Sequence, residues 1–281
     1  MSGRFTGSVA VVTGAASGLG KASAERLAAE GAHVIGVDVN GASLRAVVGS
    51  LPTRSLAIEG DIADESTVQR YMQRAANTFG KVDLYHLNAG VFGSFAPLPD
   101  LATEEFDRVM SVNLRGQFLG VRAAFRQYRA QASSGAIVLT ASIAGLTGSA
   151  DLLAYQTSKH GLVGLIRGAA MYGGPLGIRV NGLAPGIVPT ELFANAPTST
   201  GGKNDMVRRA STTPLRRAGT AAEIASVVAF LLSSESAYVT GQVVSADGGA
   251  TIVNTVRPSG GAGAWDFETV DRALYGATKG E

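Results

Sequence analysis

Cysteine is absent from the 281-residue chain. Without a thiol, disulfides, thiolate-bound zinc and a cysteine nucleophile are all excluded. Histidine is scarce as well, at three scattered residues, which argues against a histidine-built zinc site. Charge is sparse and balanced. Twenty-four Lys and Arg face 22 Asp and Glu for a net charge of +2, so despite a pI near 9.0 no dense basic field exists to hold nucleic acid or anionic lipid. No run approaches the ~20 apolar residues of a membrane span, and the opening Met-Ser-Gly-Arg-Phe-Thr-Gly lacks the apolar core of a signal peptide. A soluble, cytoplasmic protein is expected.

Hydrophobic residues are plentiful, at 46%, and glycine is high, at 37 residues. That composition is too apolar for disorder, and the glycines suit tight βα turns with close helix-to-sheet packing. Short β-branched runs alternate with longer Ala/Leu-rich segments. Seven strands are expected, at 9–13, 34–37, 56–58, 82–87, 136–140, 178–183 and 242–245. Between them the helical period is clearest over 18–30, 65–79, 104–128, 154–172 and 221–232. Strand–helix–strand repetition demands parallel pairing with right-handed crossovers. The fold class is therefore α/β, a doubly wound Rossmann-like seven-stranded parallel sheet with helices on both faces. One domain over 1–250 is expected to carry both cofactor binding and chemistry, followed by a C-terminal extension over 251–281.

Two segments leave this rhythm. Residues 191–214 carry Pro197, a Thr-Ser-Thr-Gly-Gly run at 198–202 and little apolar periodicity, so a mobile flap that excludes water is expected. In the extension, a glycine-rich hinge over 258–263 precedes Asp266, a cap for a short helix on which Phe267, Val270 and Leu274 share a face. This tail is expected to dock, with Trp265, the single tryptophan, reaching a neighbouring subunit's pocket.

The first strand runs directly into Thr13-Gly14-Ala15-Ala16-Ser17-Gly18-Leu19-Gly20 and then an Ala-rich helix. Glycines let backbone approach a pyrophosphate closely, and a helix N-terminus stabilises its charge. The glycines alone would also serve a tight turn; their position between strand and helix favours a dinucleotide site. Asp38 ends the second strand, near the ~20-residue offset at which a carboxylate accepts the adenosine ribose hydroxyls. A 2′-phosphate would meet like charge there, and Ser17 and Val39 supply no cation, so NAD is favoured over NADP. A solvated Asp at a strand end is the bland alternative. Asp61 is either a turn residue or an adenine contact.

Tyr155 and Lys159 lie four apart at the start of a predicted helix, one turn from each other on one face. At roughly 5 Å and an effective dielectric of about 20, the ammonium would favour phenolate by about 3 kcal/mol, or about two pKa units. That range suits general acid/base work. Ser142 follows the fifth strand, where a doubly wound sheet places chemistry, and its hydroxyl can bond a substrate oxygen as charge develops. Asn113 interrupts an otherwise apolar helix around Val109, Val112 and Leu114. A turn role for Ser142 and a core role for Asn113 remain open. His33, His86 and His160 have ordinary structural explanations.

Taken in order, these residues resemble the short-chain dehydrogenase/reductase family over about 5–250. The set is Thr13 to Gly20, Asp61-Ile62, Asn88-Ala89-Gly90, Asn113, Ser142, Tyr155 with Lys159, Asn181, Pro185-Gly186 with Thr190, and Asp247-Gly-Gly249. The resemblance implies that Tyr155 is the acid/base and that Ser142 steadies the reacting oxygen. Lys159 would bind the nicotinamide ribose and lower the Tyr155 pKa, and Asn113 would hold a water in a proton relay. Ser17 and Leu19, with Gly14, Gly18 and Gly20, would meet the pyrophosphate, Asp38 the ribose, and Asp61 and Ile62 the adenine. Asn88, Ala89 and Gly90 would meet the cofactor's middle, and Pro185, Gly186, Val188 and Thr190 the carboxamide end. Departures are Leu87 in place of a second asparagine, the 171–179 turn, and the long tail.

The expected reaction is NAD-dependent interconversion of a secondary alcohol and its ketone, and the resemblance implies a homotetramer built partly on the helices that carry Asn113 and Tyr155. An apolar or cyclic alcohol suits the pocket candidates Phe92, Phe95, Ala144, Leu152, Phe193 and Met206. An NADPH-dependent ketoacyl-type reductase is the nearer alternative, which Asp38 opposes. A non-catalytic nucleotide sensor is the other, and it has no need of Ser142, Tyr155 and Lys159 together.

Overall fold

Seven short apolar runs pair side by side into one parallel sheet in a computed structural model, which describes residues 3–194, 206–254, 263–264 and 266–276. The strands are β1 (Val9–Thr13), β2 (His33–Asp38), β3 (Leu56–Glu59), β4 (Leu84–Leu87), β5 (Ala136–Thr140), β6 (Arg179–Pro185) and β7 (Val243–Ala246). Their order is β3-β2-β1-β4-β5-β6-β7, as expected of a doubly wound fold. Every residue of β1, β4 and β5 is buried, because helices cover both faces.

The helices are α1 (Gly18–Ala29), α2 (Gly41–Ser50), α3 (Glu65–Phe79), α4 (Thr103–Met110), α5 (Gln117–Gln131), α6 (Leu153–Gly173), α7 (Glu191–Ala194), α8 (Met206–Ser211), α9 (Ala221–Leu232) and α10 (Phe267–Tyr275). One core layer packs Tyr71, Met72, Tyr128, Leu162 and Ile166 from α3, α5 and α6 on one sheet face. The other packs Leu27, Leu44, Ile224 and Val228 from α1, α2 and α9 on the opposite face. A capping box between Thr220 and Glu223 starts α9, and Gly80 in left-handed conformation ends α3.

Three differences from the sequence reading have physical causes. The helix expected over 104–128 is two helices, α4 and α5, joined by a π-helical turn over Ser111–Gly116 that contains Asn113. Helix α2 is absent from the sequence reading because it is only ten residues long and carries glycine near both ends. Its cap is Asn40, whose side chain accepts the Ser43 N–H at 3.1 Å. Within 191–214 the structure describes α7 and α8 rather than an unpatterned loop; residues 195–205, with Pro197 and the 198–202 run, lie outside the described residues.

The tail helix α10 forms, and Asp266 stands at its N-cap position without the expected side-chain bond. The docking described is polar: Asp271 Oδ1 accepts from Arg216 Nη2 at 2.8 Å, while Leu274 stays 58% exposed. Trp265, the Phe267 side chain and residues 255–262 lie outside the described residues. Among the described residues no helix is long and apolar enough to cross a membrane.

Candidate active site

The strand order reverses between β1 and β4, and there the carboxyl ends of the strands open onto a cavity of about 940 Å³. Gly14 and Gly18 form its floor at one end in left-handed conformation (φ +69° and +50°), with Ser17 and Leu19 beside them. Gly20 stands behind the wall. A Cβ on it would lie 2.0 Å from the Gly14 carbonyl oxygen, so its role is to let α1 start against the loop. These residues fit a pyrophosphate: an open backbone cradle at a helix N-terminus.

A polar chain ties this loop to the next two strands. Thr13 Oγ1 accepts the Asn88 and Ala89 N–H groups at 2.8 and 3.1 Å, and Asn88 Nδ2 donates to the Thr13 carbonyl at 3.2 Å. Thr140 Oγ1 donates to Asn88 Oδ1 at 3.0 Å. Its single proton is thereby used, so the 3.0 Å contact with His86 has Nε2–H donating. Burial pushes the His86 pKa down to about 3, which keeps the ring neutral. Leu87, where the resemblance allows a second asparagine, is buried with its side chain against Gly120.

Beside the glycine loop Asp38 lines the cavity. Its carboxylate accepts the Ala16 N–H at 3.0 Å and the Asn40 N–H at 2.9 Å, and Val39 beside it is exposed. Asp61 is a turn residue and a wall residue at once, since Oδ1 accepts the Ala63 N–H at 2.9 Å while the side chain borders the cavity with Ile62. Ala89 and Gly90 continue that wall. Pro185, Gly186, Val188 and Thr190 form the opposite one. Asp247 braces Gly186 from behind, its oxygens accepting the Gly249 and Thr251 N–H groups at 2.9 and 2.8 Å. Asn181 ties β6 to β7, donating to the Val239 carbonyl and accepting the Gln242 N–H.

Ser142, Tyr155 and Lys159 meet on one wall. Helix α6 places the two α6 side chains one turn apart, and both are buried. Lys159 Nζ donates to the Thr140 carbonyl at 2.8 Å and lies 5.5 Å from the Tyr155 ring centre. Ser142 Oγ accepts the Ala144 N–H at 3.1 Å, which frees its own proton for the Tyr155 phenol or a substrate oxygen.

The Tyr155 pKa rises instead of showing the expected fall. Burial pushes the phenol up to about 12, with the Ser142 hydrogen bond pulling the other way, and burial pushes Lys159 down to about 8. Both groups are desolvated, and loss of hydration disfavours each charged form. A phenol pushed up to about 12 is neutral at neutral pH.

Asn113 is fully buried and is not on the cavity wall. Its Oδ1 accepts the Val91 N–H at 2.8 Å, and its Nδ2 donates to the Val91 carbonyl at 2.8 Å and to Ser158 Oγ at 3.1 Å. Ser158 in turn donates to the Tyr155 carbonyl at 2.6 Å. The side chain thus braces α6 against the Gly90–Val91 wall, instead of pointing into the cavity.

Of the pocket candidates, Phe92, Phe95, Ala144 and Leu152 line the cavity, with the Phe92 ring 4.8 Å from the Tyr155 ring. Met206 is off the wall, and the Phe193 side chain lies outside the described residues. Sequence reasoning missed Thr140, Gln117, Gln156 and Arg209. Thr140 was findable, as the last residue of a strand at the active end. Gln117, whose Nε2 donates to the Ala89 carbonyl at 2.6 Å, was findable as a polar residue on a buried helix face. Arg209 carries no local signal.

The profile of the family described as enoyl-(acyl carrier protein) reductase matches residues 14–251. Levodione reductase of Leifsonia aquatica is 41% identical over 88% of this chain and 95% of its own. Cyclohexanol dehydrogenase of an Acinetobacter species is 36% identical over 89% and 98%. Among solved structures, a levodione reductase superposes with a TM-score of 0.84 at 39% identity, covering 89% of this chain and 100% of its own. A 3-ketoacyl-(acyl-carrier-protein) reductase from Brucella melitensis, complexed with NADH, gives 0.81 at 30%, over 88% and 99%. With the ordered motifs, the fold and these relatives in agreement, the chain belongs to the short-chain dehydrogenase/reductase family and is an oxidoreductase of the alcohol dehydrogenase/ketone reductase type.

Proposed function

We propose that the protein is an NAD-dependent dehydrogenase of apolar or cyclic secondary alcohols, reducing the corresponding ketones in reverse. The observation that carries this reading is the convergence of Ser142, Tyr155 and Lys159 on a cavity whose opposite end carries Asp38. The cofactor, when bound, supplies the hydride acceptor or donor. Gly14, Ser17, Gly18 and Leu19 would hold its pyrophosphate, Asp38 and Asp61 its adenosine half, and Asn88 to Gly90 with Pro185 to Thr190 its nicotinamide half. Asp38 supports NAD because its carboxylate repels a 2′-phosphate.

In reduction, the neutral Tyr155 phenol donates its proton to the carbonyl oxygen while Ser142 holds that oxygen by hydrogen bond. In oxidation, Tyr155 takes the hydroxyl proton after losing its own, and charged Lys159 together with the Ser142 hydroxyl stabilises the phenolate. Asn113 keeps the start of α6 in place for both. Phe92 beside Tyr155, with Phe95 next to Phe92, offers aromatic faces to an apolar ring, which accords with the cyclohexanol named for one relative.

The reading includes a cytoplasmic homotetramer. An apolar groove of about 550 Å³ on α4, α5 and α6, lined by Met110, Leu114, Phe118 and Leu165, is where a second copy would pack. Light scattering tests the assembly. A spectrophotometric screen of cyclic and acyclic secondary alcohols with NAD tests the chemistry: growth of absorbance from NADH with a cyclic alcohol is expected, and no growth with any of them would overturn it.

A further inference from the structure

The chain beyond residue 251 lies outside the family match, yet part of it bonds to the turn that follows α8, a helix that borders the cavity. Helix α8 puts Arg209 on the cavity surface, and buried Ala210 and Thr213 seat its end on the domain. The turn that follows is gripped from two sides. From the domain, the Gly248 carbonyl accepts the Leu215 N–H at 3.1 Å, and Gly249 packs against Pro214. From the tail, the Gly263 N–H donates to the Thr212 carbonyl at 2.7 Å, and Asp271 of α10 accepts from Arg216 Nη2 at 2.8 Å.

Arg216 joins the two. Its Nη1 donates to the carbonyl of Ser211, the last residue of α8, at 3.2 Å. Its backbone is left-handed (φ +56°), a conformation a non-glycine residue keeps only when its surroundings hold it. The ion pair is substantially shielded, with side chains 26% and 14% exposed, so it is not an ordinary solvated surface pair.

We propose that Asp271 is a positioning residue for the substrate end of the cavity: through Arg216 the C-terminal helix fixes α8, and with it the Arg209 side of the pocket. This rests on the proposed alcohol dehydrogenase reading for its kinetic consequence only. The glycine-loop and Asp38 end of the cavity is carried by β1, α1 and β2 rather than by α8, so substrate and cofactor should respond differently.

The test compares full-length wild type, Asp271→Ala and Asp271→Glu, with cyclohexanol and NAD as probes. Alanine is the better helix former, so the first variant should fold. Asp271→Ala should raise KM for cyclohexanol roughly five- to tenfold while leaving kcat and KM for NAD within about twofold. Amide hydrogen exchange over 206–216 should quicken, with the sheet unchanged, and Asp271→Glu should restore both readouts. Unchanged exchange, quickened exchange with unchanged KM, or equal losses for alcohol and NAD would each overturn the proposal. Should wild type oxidise no secondary alcohol, the functional reading falls by itself, and the exchange comparison still decides whether the tail fixes α8.

Discussion

The ammonium of Lys159 is pinned to the backbone carbonyl of Thr140 at 2.8 Å, which holds a buried cation at the end of β5 and over the Tyr155 ring. Its pKa falls from 10.5 to about 8 because burial strips its hydration. A cation whose pKa is depressed on folding costs stability below its folded pKa. Here the full cost applies below pH 8, declines from there to 10.5, and is gone above. At about 1.4 kcal/mol per pKa unit the cost is on the order of 3 kcal/mol, from which an unpaired Thr140 carbonyl subtracts about 1 kcal/mol in a variant. Lys159→Met should therefore be about 2 kcal/mol more stable than wild type in denaturant unfolding at pH 7. The gain should vanish by pH 10.5, and turnover should fall at least a hundredfold.

Tyr155→Phe removes only the phenol oxygen from a packed aromatic site, so NADH affinity should hold within about twofold while turnover drops about a thousandfold or more. The pH profile follows from burial. A phenol pushed up to about 12 stays protonated through neutral pH, so ketone reduction should be nearly flat from pH 6 to 8. Alcohol oxidation needs the phenolate beside a still-charged Lys159, so it should climb from pH 6 to about 8 and level off above that. Initial rates in both directions across that range check the sign.

Much of this was legible in the sequence, and the gaps have causes. Strands β1 and β5 and helices α3 and α9 were read to within their true ends, because buried parallel strands are continuous apolar runs and these helices have clear caps or period. The glycine loop, Asp38 and the Tyr155–Lys159 spacing placed both ends of the cavity. The sign of the Tyr155 shift was not legible, since spacing gives a distance but not the hydration lost by both partners. Nor was the orientation of Asn113, whose break in the apolar pattern marked the π-helical turn without showing that Val91 and Ser158 take its amide. Asp271 and Arg216 are 55 residues apart and meet only through tertiary packing.

Cofactor choice turns on Asp38, whose carboxylate is oriented by the Ala16 and Asn40 amides toward the adenosine end. Asp38→Ala removes both the ribose acceptor and the repulsion of a 2′-phosphate. Its kcat/KM ratio for NAD over NADP should fall roughly tenfold to a hundredfold, most of it through weaker NAD binding. Paired titrations with the two cofactors measure this, and an unchanged ratio would remove Asp38 from the argument.

Asn113 offers the sharpest separation of bracing from chemistry, because its side chain touches Val91 and Ser158 and does not reach the cavity. Asn113→Ala leaves a buried N–H, a buried carbonyl and the Ser158 hydroxyl each short of a partner. Stability should drop by about 2–4 kcal/mol in denaturant unfolding. Ser158 also holds the Tyr155 carbonyl, so the first turn of α6 loosens and kcat should fall more than cofactor affinity. Asn113→Asp keeps the acceptor for the Val91 N–H but presents oxygen to the Val91 carbonyl, so it should be no better tolerated than alanine. If the aspartate variant matches wild type in both stability and kcat, the amide donors are dispensable and the bracing role is lost.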